Sequence, residues 1–272
     1  MSKTLDQKYW DTQYKTNCTG WDLGCISPPI KTIIDKLEDK NIAVLIPGCG
    51  NTYEAEYLLQ QGFTNITVID IAPTLVSMLQ LKFANNDNIT IVLGDFYSHQ
   101  GQYDLILEQT FFCALAPHLR QHYVFIMHQL LIPNGTLSGL LFNKTFESGP
   151  PFGGNKKEYE LLFKNAFNIT SLEISCNSVL PRSESELAFT FVKDNTVTVK
   201  LYELENTTGT EEIKSIKENI SQINTVLNVS ISTNGTTILL VTEKEIPLLD
   251  LQFALPNHVK LKIATYEKCT LY

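Results

Sequence analysis

The sequence is poor in basic residues, with 21 Lys and Arg against 29 Asp and Glu, which gives a net charge of −8. This balance argues against a nucleic-acid backbone as the partner, because binding to phosphates requires positive charge. The sequence also lacks an apolar run of the roughly 18 residues that a membrane span needs. Residues 1–14 are polar and aromatic and do not resemble a signal peptide, so we expect a cytoplasmic protein.

The six cysteines, at positions 18, 25, 49, 113, 176 and 269, show neither a CxxC pair nor the Cys/His spacing of a zinc site. No metal is therefore predicted, and free thiols in a reducing compartment are expected. Cys49 lies inside a glycine turn. It is either a nucleophile or, as we favour, a small residue tolerated beside a ligand.

Residues 42–70, IAVLIPGCGNTYEAEYLLQQGFTNITVID, are the most informative stretch. They predict a strand at 43–47, a Gly-Cys-Gly turn, an amphipathic helix and a second strand that ends at Asp70. This order is that of a nucleotide-binding βαβ unit. Gly48 and Gly50 lack a Cβ, so the backbone can turn sharply there and approach a ligand. Asp70 is placed to accept hydrogen bonds from ribose hydroxyls.

The cofactor is indicated by what the glycine turn lacks. A dinucleotide fingerprint has a third glycine where this chain has Tyr53, and no Gly-Lys-Ser/Thr follows the turn. The turn carries no basic residue that would bind a phosphate. The sequence therefore favours a nucleoside without phosphates, S-adenosylmethionine, over a nicotinamide dinucleotide.

Three more strands are predicted at 89–93, 103–108 and 136–142, the last after a turn at 133–135. Helices are predicted at 73–83 and at about 118–131. An antiparallel edge hairpin is predicted from strands at 167–174 and 186–193.

Four residues of this pattern lie at the carboxyl ends of predicted strands, namely Gly48, Asp70, Asp95 and Glu108. Ligands of open parallel sheets bind beyond these ends, so one shared site is predicted there. Asp95 and Phe96 fit an adenine pocket, in which the acid contacts the exocyclic amine and the ring stacks. A polar turn that merely follows a strand is the competing interpretation.

Both tryptophans of the chain, Trp10 and Trp21, lie near the N-terminus. They either attach the N-terminal segment to the main domain or form a lid over the site. A lid would suit a sulfonium cofactor, because aromatic faces attract cations by roughly 0.5–2 kcal/mol.

A domain boundary is predicted at residues 194 and 195, which gives a main domain at 1–194 and a small α+β module at 195–272. The module shows strands at 196–204, 227–232, 237–242 and 259–265, with helices at 210–223 and 247–253. This β-α-β-β-α-β order suggests a ferredoxin-like fold. A packing or dimerisation role, including a homodimer formed through the module, is favoured for it.

Several motifs, taken in order, resemble the thiopurine S-methyltransferase family with its thiol, halide and thiocyanate methyltransferase relatives. They are YWDTQY, GWDLG and SPP within residues 9–29, VLIPGCGNTYEAEYL, VIDIAPTLV, GDF, YDLILEQTFFCALAPHLRQHY and GPPF. The resemblance implies a Rossmann-like class I methyltransferase with a mostly parallel seven-stranded sheet, helices on both faces, and S-adenosylmethionine as cofactor.

The resemblance also implies roles for single residues. Trp21, with Trp10, would cover the cofactor, and Gly48 and Gly50 would hold its methionine end. Asp70 and Ile71 would hold the ribose. Asp95 and Phe96 would hold the adenine.

The sequence departs from the family where many relatives have Asp-Tyr and this chain has Glu108 followed by Gln109. Glu108 is predicted near the cofactor and would accept a proton if it points into the pocket. Arg120 would stabilise an anionic nucleophile, or it forms a surface salt bridge. Phe111 and Phe152 would form apolar walls of the substrate pocket, although core packing explains Phe111 equally well.

The predicted function is transfer of a methyl group from S-adenosylmethionine to a small soft nucleophile: a thiol, or a halide or thiocyanate. The acceptor would be a small molecule. The alternative is a non-catalytic protein that binds S-adenosylmethionine or its product S-adenosylhomocysteine and acts through its C-terminal module.

Overall fold

The computed structural model describes residues 4–264, which form two β-sheets and the helices that pack on them. The strands of the first sheet are β1 (Val44–Pro47), β2 (Ile66–Asp70), β3 (Ile89–Leu93), β4 (Tyr103–Gln109), β5 (Leu131–Phe142), β6 (Phe167–Ile174) and β7 (Glu186–Lys193). Those of the second are β8 (Thr198–Glu205), β9 (Val226–Ile231), β10 (Thr237–Thr242) and β11 (Lys260–Ile263). The α-helices are α1 (Gln7–Lys15), α2 (Pro28–Asp35), α3 (Tyr53–Gln60), α4 (Pro73–Lys82), α5 (Arg120–Leu130), α6 (Lys156–Phe163), α7 (Thr210–Ser221) and α8 (Leu248–Phe253).

Parallel pairing dominates the first sheet, whose strand order is β3-β2-β1-β4-β5-β7-β6. The first five strands in this order are parallel, and β7 runs antiparallel between β5 and β6. β1 lies inside the sheet between β2 and β4 with every residue buried, which explains its unbroken apolar sequence. The predicted mostly parallel seven-stranded sheet is confirmed, and so is the antiparallel hairpin at its edge.

Helices cover both faces of this sheet. Helices α2, α3 and α4 pack on one face in a core cluster that contains Ile30, Leu58 and Leu75. Helices α5 and α6 pack on the opposite face through a second cluster, which contains Val124 and Phe163. The sheet is therefore buried on both sides, as a doubly wound α/β fold requires.

The prediction for residues 131–142 was wrong in detail. A turn was expected at 133–135, but β5 already begins at Leu131 and continues through this segment with a register shift opposite β4. Asn134 takes up the irregularity in the left-handed region, at φ 62°. The preceding helix also starts later than predicted, at Arg120, because residues 117–119 form a separate turn of 3₁₀-helix.

The second sheet is antiparallel with strand order β11-β8-β10-β9. Combined with the β-α-β-β-α-β element order, this is the ferredoxin-like arrangement that the sequence predicts. Helices α7 and α8 pack on one face of the sheet in a cluster that includes Ile216 and Leu251. The predicted last strand ended at residue 265, which lies outside the described residues, as does the cysteine at 269.

The other face of the second sheet packs against α5 of the main sheet. Val199, Leu201, Leu239 and Val241 of β8 and β10 belong to the same core cluster as the apolar residues of α5. Eight of the eleven residues of α5 are buried, because the helix lies between two sheets. A helix that is buried nearly all round carries apolar side chains on every face, as the segment RQHYVFIMHQL does.

Candidate functional site

A cavity of about 510 Å³ lies at the carboxyl ends of the parallel strands. Its volume is in the range of sites for small molecules and cofactors. Nine of the residues that the sequence predicts for the site line this cavity: Trp10, Trp21, Gly48, Gly50, Asp70, Ile71, Asp95, Phe96 and Phe111. Glu108, Arg120 and Phe152 are not among its lining residues.

The glycine turn after β1 forms the floor of the cavity. Gly48 and Gly50 adopt φ values of 54° and 51°, in the left-handed region that favours glycine. A Cβ built on Gly48 would lie 2.2 Å from the Phe111 ring, so this glycine is also needed for close packing. The turn and the aromatic wall therefore interlock.

Asp70 ends β2 beside this turn and is 8% exposed. The Gly50 and Ala72 amides donate hydrogen bonds to its two carboxylate oxygens at 3.3 and 3.0 Å. Burial raises the pKa of Asp70, and these amides oppose the rise. The carboxylate is thus held rigidly at the cavity wall, where it can accept hydrogen bonds from a ligand.

Two threonines at the cavity have backbone conformations that β-branched residues rarely adopt. Thr52 and Thr110 have φ values of 49° and 62°, and both line the cavity. Within residues 4–264, the buried Thr52 hydroxyl has no hydrogen-bond partner. Strain of this kind costs about 1–3 kcal/mol per residue and concentrates at functional sites. This backbone strain indicates that the segments after β1 and after β4 belong to the functional part of the cavity.

Asp95 and Phe96 follow β3 at the far end of the cavity. The Tyr97 amide donates to Asp95 Oδ1 at 2.9 Å, and burial raises the pKa of this carboxyl. Phe96 is 5% exposed, and its ring meets the Phe111 ring edge-on at 5.0 Å between centroids. The Asp95 carboxylate is a fixed hydrogen-bond acceptor with the aromatic Phe96 as its neighbour, and this combination suits a purine.

Aromatic residues of the N-terminal segment line the cavity. The Trp10 and Trp21 rings meet edge-on at 5.6 Å, and Tyr14 lies 6.0 Å from Trp21. All three line the cavity, and Trp10 and Tyr14 also pack against the core of the main sheet. This packing agrees with attachment of the N-terminal segment to the main domain, and a lid over the site stays a prediction.

Glu54, in the first turn of α3, is a cavity residue that the sequence analysis missed. It is 7% exposed, and burial raises its pKa from 4.5 to about 7. The available signal was its position four residues after Gly50, in the first turn of the helix that follows the glycine turn. Asp22 also lines the cavity and accepts hydrogen bonds from Asn51 and Tyr53.

The buried Glu54 carboxyl should make stability depend on pH. Its pKa is raised in the folded state, so between pH 4.5 and 7 the folded chain holds the proton more tightly than the unfolded chain. Stability is therefore lost as the pH rises through this window, by about 3 kcal/mol for a shift of this size. Denaturant unfolding at a series of pH values should show a steeper fall for the wild type than for Glu54→Gln. Parallel curves would contradict the raised pKa.

Glu108 does not meet the condition under which it would act as a base, because it points away from the cavity. Its side chain is fully buried, and one carboxylate oxygen accepts from the Phe111 and Phe112 amides at 2.8 and 2.9 Å. The other accepts from the Tyr123 hydroxyl at 2.6 Å. Burial raises the pKa of Glu108 to about 7. The geometry gives this residue a positioning function in place of proton transfer.

Arg120 and Phe152 also lie behind the cavity wall. Arg120 donates to the Gly153 carbonyl at 2.6 Å and stacks over Phe112, with Glu158 3.8 Å away. The Phe152 amide donates to the Cys113 carbonyl at 2.6 Å. Both residues join the 149–154 loop to the segment after β4, and the loop presents Pro150 and Pro151 to the cavity in place of Phe152.

The cations at the cavity are Lys144 and Arg182, neither of which the sequence analysis selected. Arg182 donates to the Trp21 carbonyl at 2.7 Å and lies 3.5 Å from Glu186. It comes from the connector of the edge hairpin, and its rarity was the only available signal, since the chain has two arginines.

Gln109 adds an amide to the same half of the cavity. The Ser27 hydroxyl donates to Gln109 Oε1 at 2.9 Å instead of capping α2. Among the described residues, the buried Gln109 Nε2 has no hydrogen-bond acceptor. The cavity is therefore acidic toward β1, β2 and β3, and cationic with a spare N–H donor toward β4 and the edge hairpin.

Cys49 is buried at the cavity, and burial raises the pKa of its thiol well above the usual value, with Asp70 and Glu54 adding to the effect. A thiol that stays protonated is a poor nucleophile.

Residues 4–264 contain no group of three or more His, Cys, Asp or Glu side chains placed to hold a metal ion. Over the same residues, no helix combines the length and apolar character that crossing a membrane requires.

Residues 5–201 match a family model described as thiopurine S-methyltransferase. The chain is 30% identical over 194 residues to probable thiol methyltransferase 2 of Arabidopsis thaliana, which covers 69% of this chain and 85% of the relative. It is 26% identical over 195 residues to thiopurine S-methyltransferase of Acinetobacter baylyi. This match covers 62% of this chain and 88% of that relative. Most of the second sheet lies beyond the matched residues.

Among solved structures, the chain resembles the 1,6-didemethyltoxoflavin-N1-methyltransferase of Burkholderia thailandensis, with a TM-score of 0.57. The superposition covers 72% of this chain and 92% of that one, at 17% sequence identity. This likeness confirms the predicted Rossmann-like fold of the main sheet.

Proposed function

Because the chain belongs to the thiopurine S-methyltransferase family, we propose that it transfers a methyl group from S-adenosylmethionine to a small soft nucleophile, with thiols first and thiocyanate or halides second. One observation carries the assignment. The glycine turn, Asp70, Asp95 and the two tryptophans meet at a single cavity, as a nucleoside with an attached amino acid requires. Similarity to a probable thiol methyltransferase and to a thiopurine S-methyltransferase supports sulfur as the acceptor atom.

The residues at the cavity fit S-adenosylmethionine. Asp70 would hold the ribose with Ile71 beside it, Asp95 and Phe96 the adenine, and the Gly48–Gly50 turn the methionine end. No basic residue lies in the turn, so the site suits a cofactor without phosphates. The carboxyl groups of Asp22 and Glu54 favour its cationic groups. This cofactor supplies an activated methyl group when it is bound.

The protein's own contribution is positioning and electrostatics. Phe111, Pro150 and Pro151 line the cavity with apolar surface, which would exclude water from the bound acceptor. The nucleophile must be an anion, because a thiolate reacts and a thiol does not. Lys144 and Arg182 favour the anion of an incoming thiol and so lower its pKa at the site. The free Gln109 Nε2–H can donate to the same anion.

Replacing Trp21 by alanine should weaken S-adenosylmethionine binding by about tenfold, because a cation over an aromatic face gains roughly 0.5–2 kcal/mol. S-adenosylhomocysteine carries no sulfonium charge, so its affinity should fall much less. Titration calorimetry of both ligands measures the ratio, with Trp21→Phe as a control that keeps an aromatic face. An equal loss for both ligands would show that Trp21 contributes packing only.

The function is tested by incubating the full chain with S-adenosylmethionine and a panel of thiols, hydrosulfide, thiocyanate and iodide, with the methylated products measured. Transfer to at least one member is expected. Binding of the cofactor without transfer to any acceptor would indicate the non-catalytic binding protein that acts through its C-terminal module. Failure to bind either cofactor or product would overturn both functions.

We also propose that the protein is cytoplasmic and that it forms a homodimer. The cytoplasm would supply S-adenosylmethionine and a reducing environment that keeps the cysteines as free thiols. A homodimer through the C-terminal module would use its helical face, where Leu249 and Phe253 are exposed, because its sheet face lies against α5.

A further inference from the structure

The C-terminal ferredoxin-like module is joined to α5 by both apolar and polar contacts. Leu239 and Val241 of β10 lie in the same core cluster as the α5 side chains. The buried Gln121 of α5 donates from Nε2 to Ser230 Oγ at 3.0 Å and to the Ile231 carbonyl at 3.2 Å. The module therefore fixes the position of α5 from the side that faces away from the main sheet.

On its other side, α5 is connected to the segment after β4 by one buried chain of hydrogen bonds. Tyr123 of α5 donates to Glu108, and Glu108 accepts from the Phe111 and Phe112 amides. Tyr123 and Glu108 are both fully buried. Hydrogen bonds to a buried carboxylate are costly to lose, so we expect a shift of α5 to displace these two amides as well.

The segment that these amides belong to forms the acceptor wall of the cavity. Residues 109–111 and 113–115 line it. The Phe111 ring fills the space over Gly48, so the wall cannot move without disturbing the glycine turn. The path from module to wall thus runs through packed or hydrogen-bonded groups at every step.

We propose that the C-terminal module is a positioning device that fixes the acceptor wall through α5, Tyr123 and Glu108. The claim about the acceptor rests on the proposed methyl transfer, but the mechanical coupling does not. A substitution that weakens the packing of the module on α5 should increase the local opening of residues 108–115. A substitution that weakens packing on the opposite face of the module should not.

Two neighbouring leucines of β10 allow a matched test. Leu239 is fully buried and faces α5, whereas Leu240 is 2% exposed and faces α7 and α8. Leu239→Ala and Leu240→Ala remove the same atoms from opposite faces. Native-state hydrogen exchange of the 108–115 peptide should rise by about tenfold in Leu239→Ala and stay near the wild-type rate in Leu240→Ala. Equal exchange in the two variants overturns the proposal.

A second pair tests the hydrogen-bond chain and the acceptor. Tyr123→Phe should raise exchange at 108–115 and raise the acceptor KM more than it lowers kcat. Tyr103→Phe is the control, because that buried hydroxyl pairs with His99 away from the cavity. An unchanged KM in Tyr123→Phe overturns the role at the acceptor. If the wild type methylates no acceptor, the proposed function fails, and the exchange measurements still decide the coupling.

Discussion

Replacing Asp70 by asparagine is expected to weaken S-adenosylhomocysteine binding by about 100-fold, because a hydrogen bond to a charged group contributes about 1.5–3 kcal/mol. The asparagine side chain has the same shape but only one acceptor oxygen and no charge. The asparagine leaves one of the two backbone donors, the Gly50 or the Ala72 amide, without an acceptor, so the ligand-free protein should also lose some thermal stability. Titration calorimetry and thermal unfolding measure the two quantities separately.

The matched control for this substitution is Asp104→Asn. Asp104 also accepts a backbone hydrogen bond, from the Ala43 amide at 2.7 Å, but it lies outside the cavity. Its substitution should affect stability and leave ligand affinity unchanged. If Asp70→Asn binds S-adenosylhomocysteine within threefold of wild type, the ribose assignment is wrong.

Gly48→Ala is expected to reduce methyl transfer by about 100-fold or more, because displacing a wall by about 1 Å can cost that factor in rate. The new methyl group would lie 2.2 Å from the Phe111 ring, so that ring must leave its place in the acceptor wall. The left-handed φ of 54° adds a backbone cost of about 1–2 kcal/mol for any residue with a Cβ. Initial rates at saturating cofactor and the thermal midpoint are the measurements.

Gly62→Ala separates these two causes. Gly62 follows α3 with a φ of 88°, and a Cβ there would meet no atom within 4 Å. This variant should lose stability by the backbone cost alone and keep its transfer rate. Equal activity losses in the two variants would mean that the Gly48 effect is one of general instability.

The sequence was sufficient to locate the cavity, since parallel strands bring their carboxyl ends to one edge. Gly48, Asp70 and Asp95 each follow a strand whose apolar pattern is unambiguous, so their convergence needed no side-chain geometry. The same reasoning failed for Glu108 because it ignored the alternation along β4. Glu108 lies two residues after Ile106, which packs in the α5 cluster, so both side chains point toward α5.

Arg182, Lys144 and the 149–154 loop show a second limit. They come from connectors, whose path depends on long-range contacts such as the bond from Arg182 to the Trp21 carbonyl, 161 residues apart. No periodicity encodes such a contact. The function of Arg120 was similarly undecided, because nothing in its local sequence shows that its guanidinium reaches the Gly153 carbonyl.

The position of α5 between two sheets has a consequence during synthesis. The last strand of the main sheet ends at Lys193, but β8 and β10, which cover the second face of α5, extend to Thr242. At about 5–20 residues per second, a ribosome needs roughly ten seconds to pass from the end of α5 to the end of β10. Throughout that interval the nascent chain presents an apolar helix face to solvent. A ribosome-bound chain stalled at residue 194 should therefore recruit a hydrophobic-binding chaperone, and the full 272 residues followed by a linker long enough to clear the ribosome should release it.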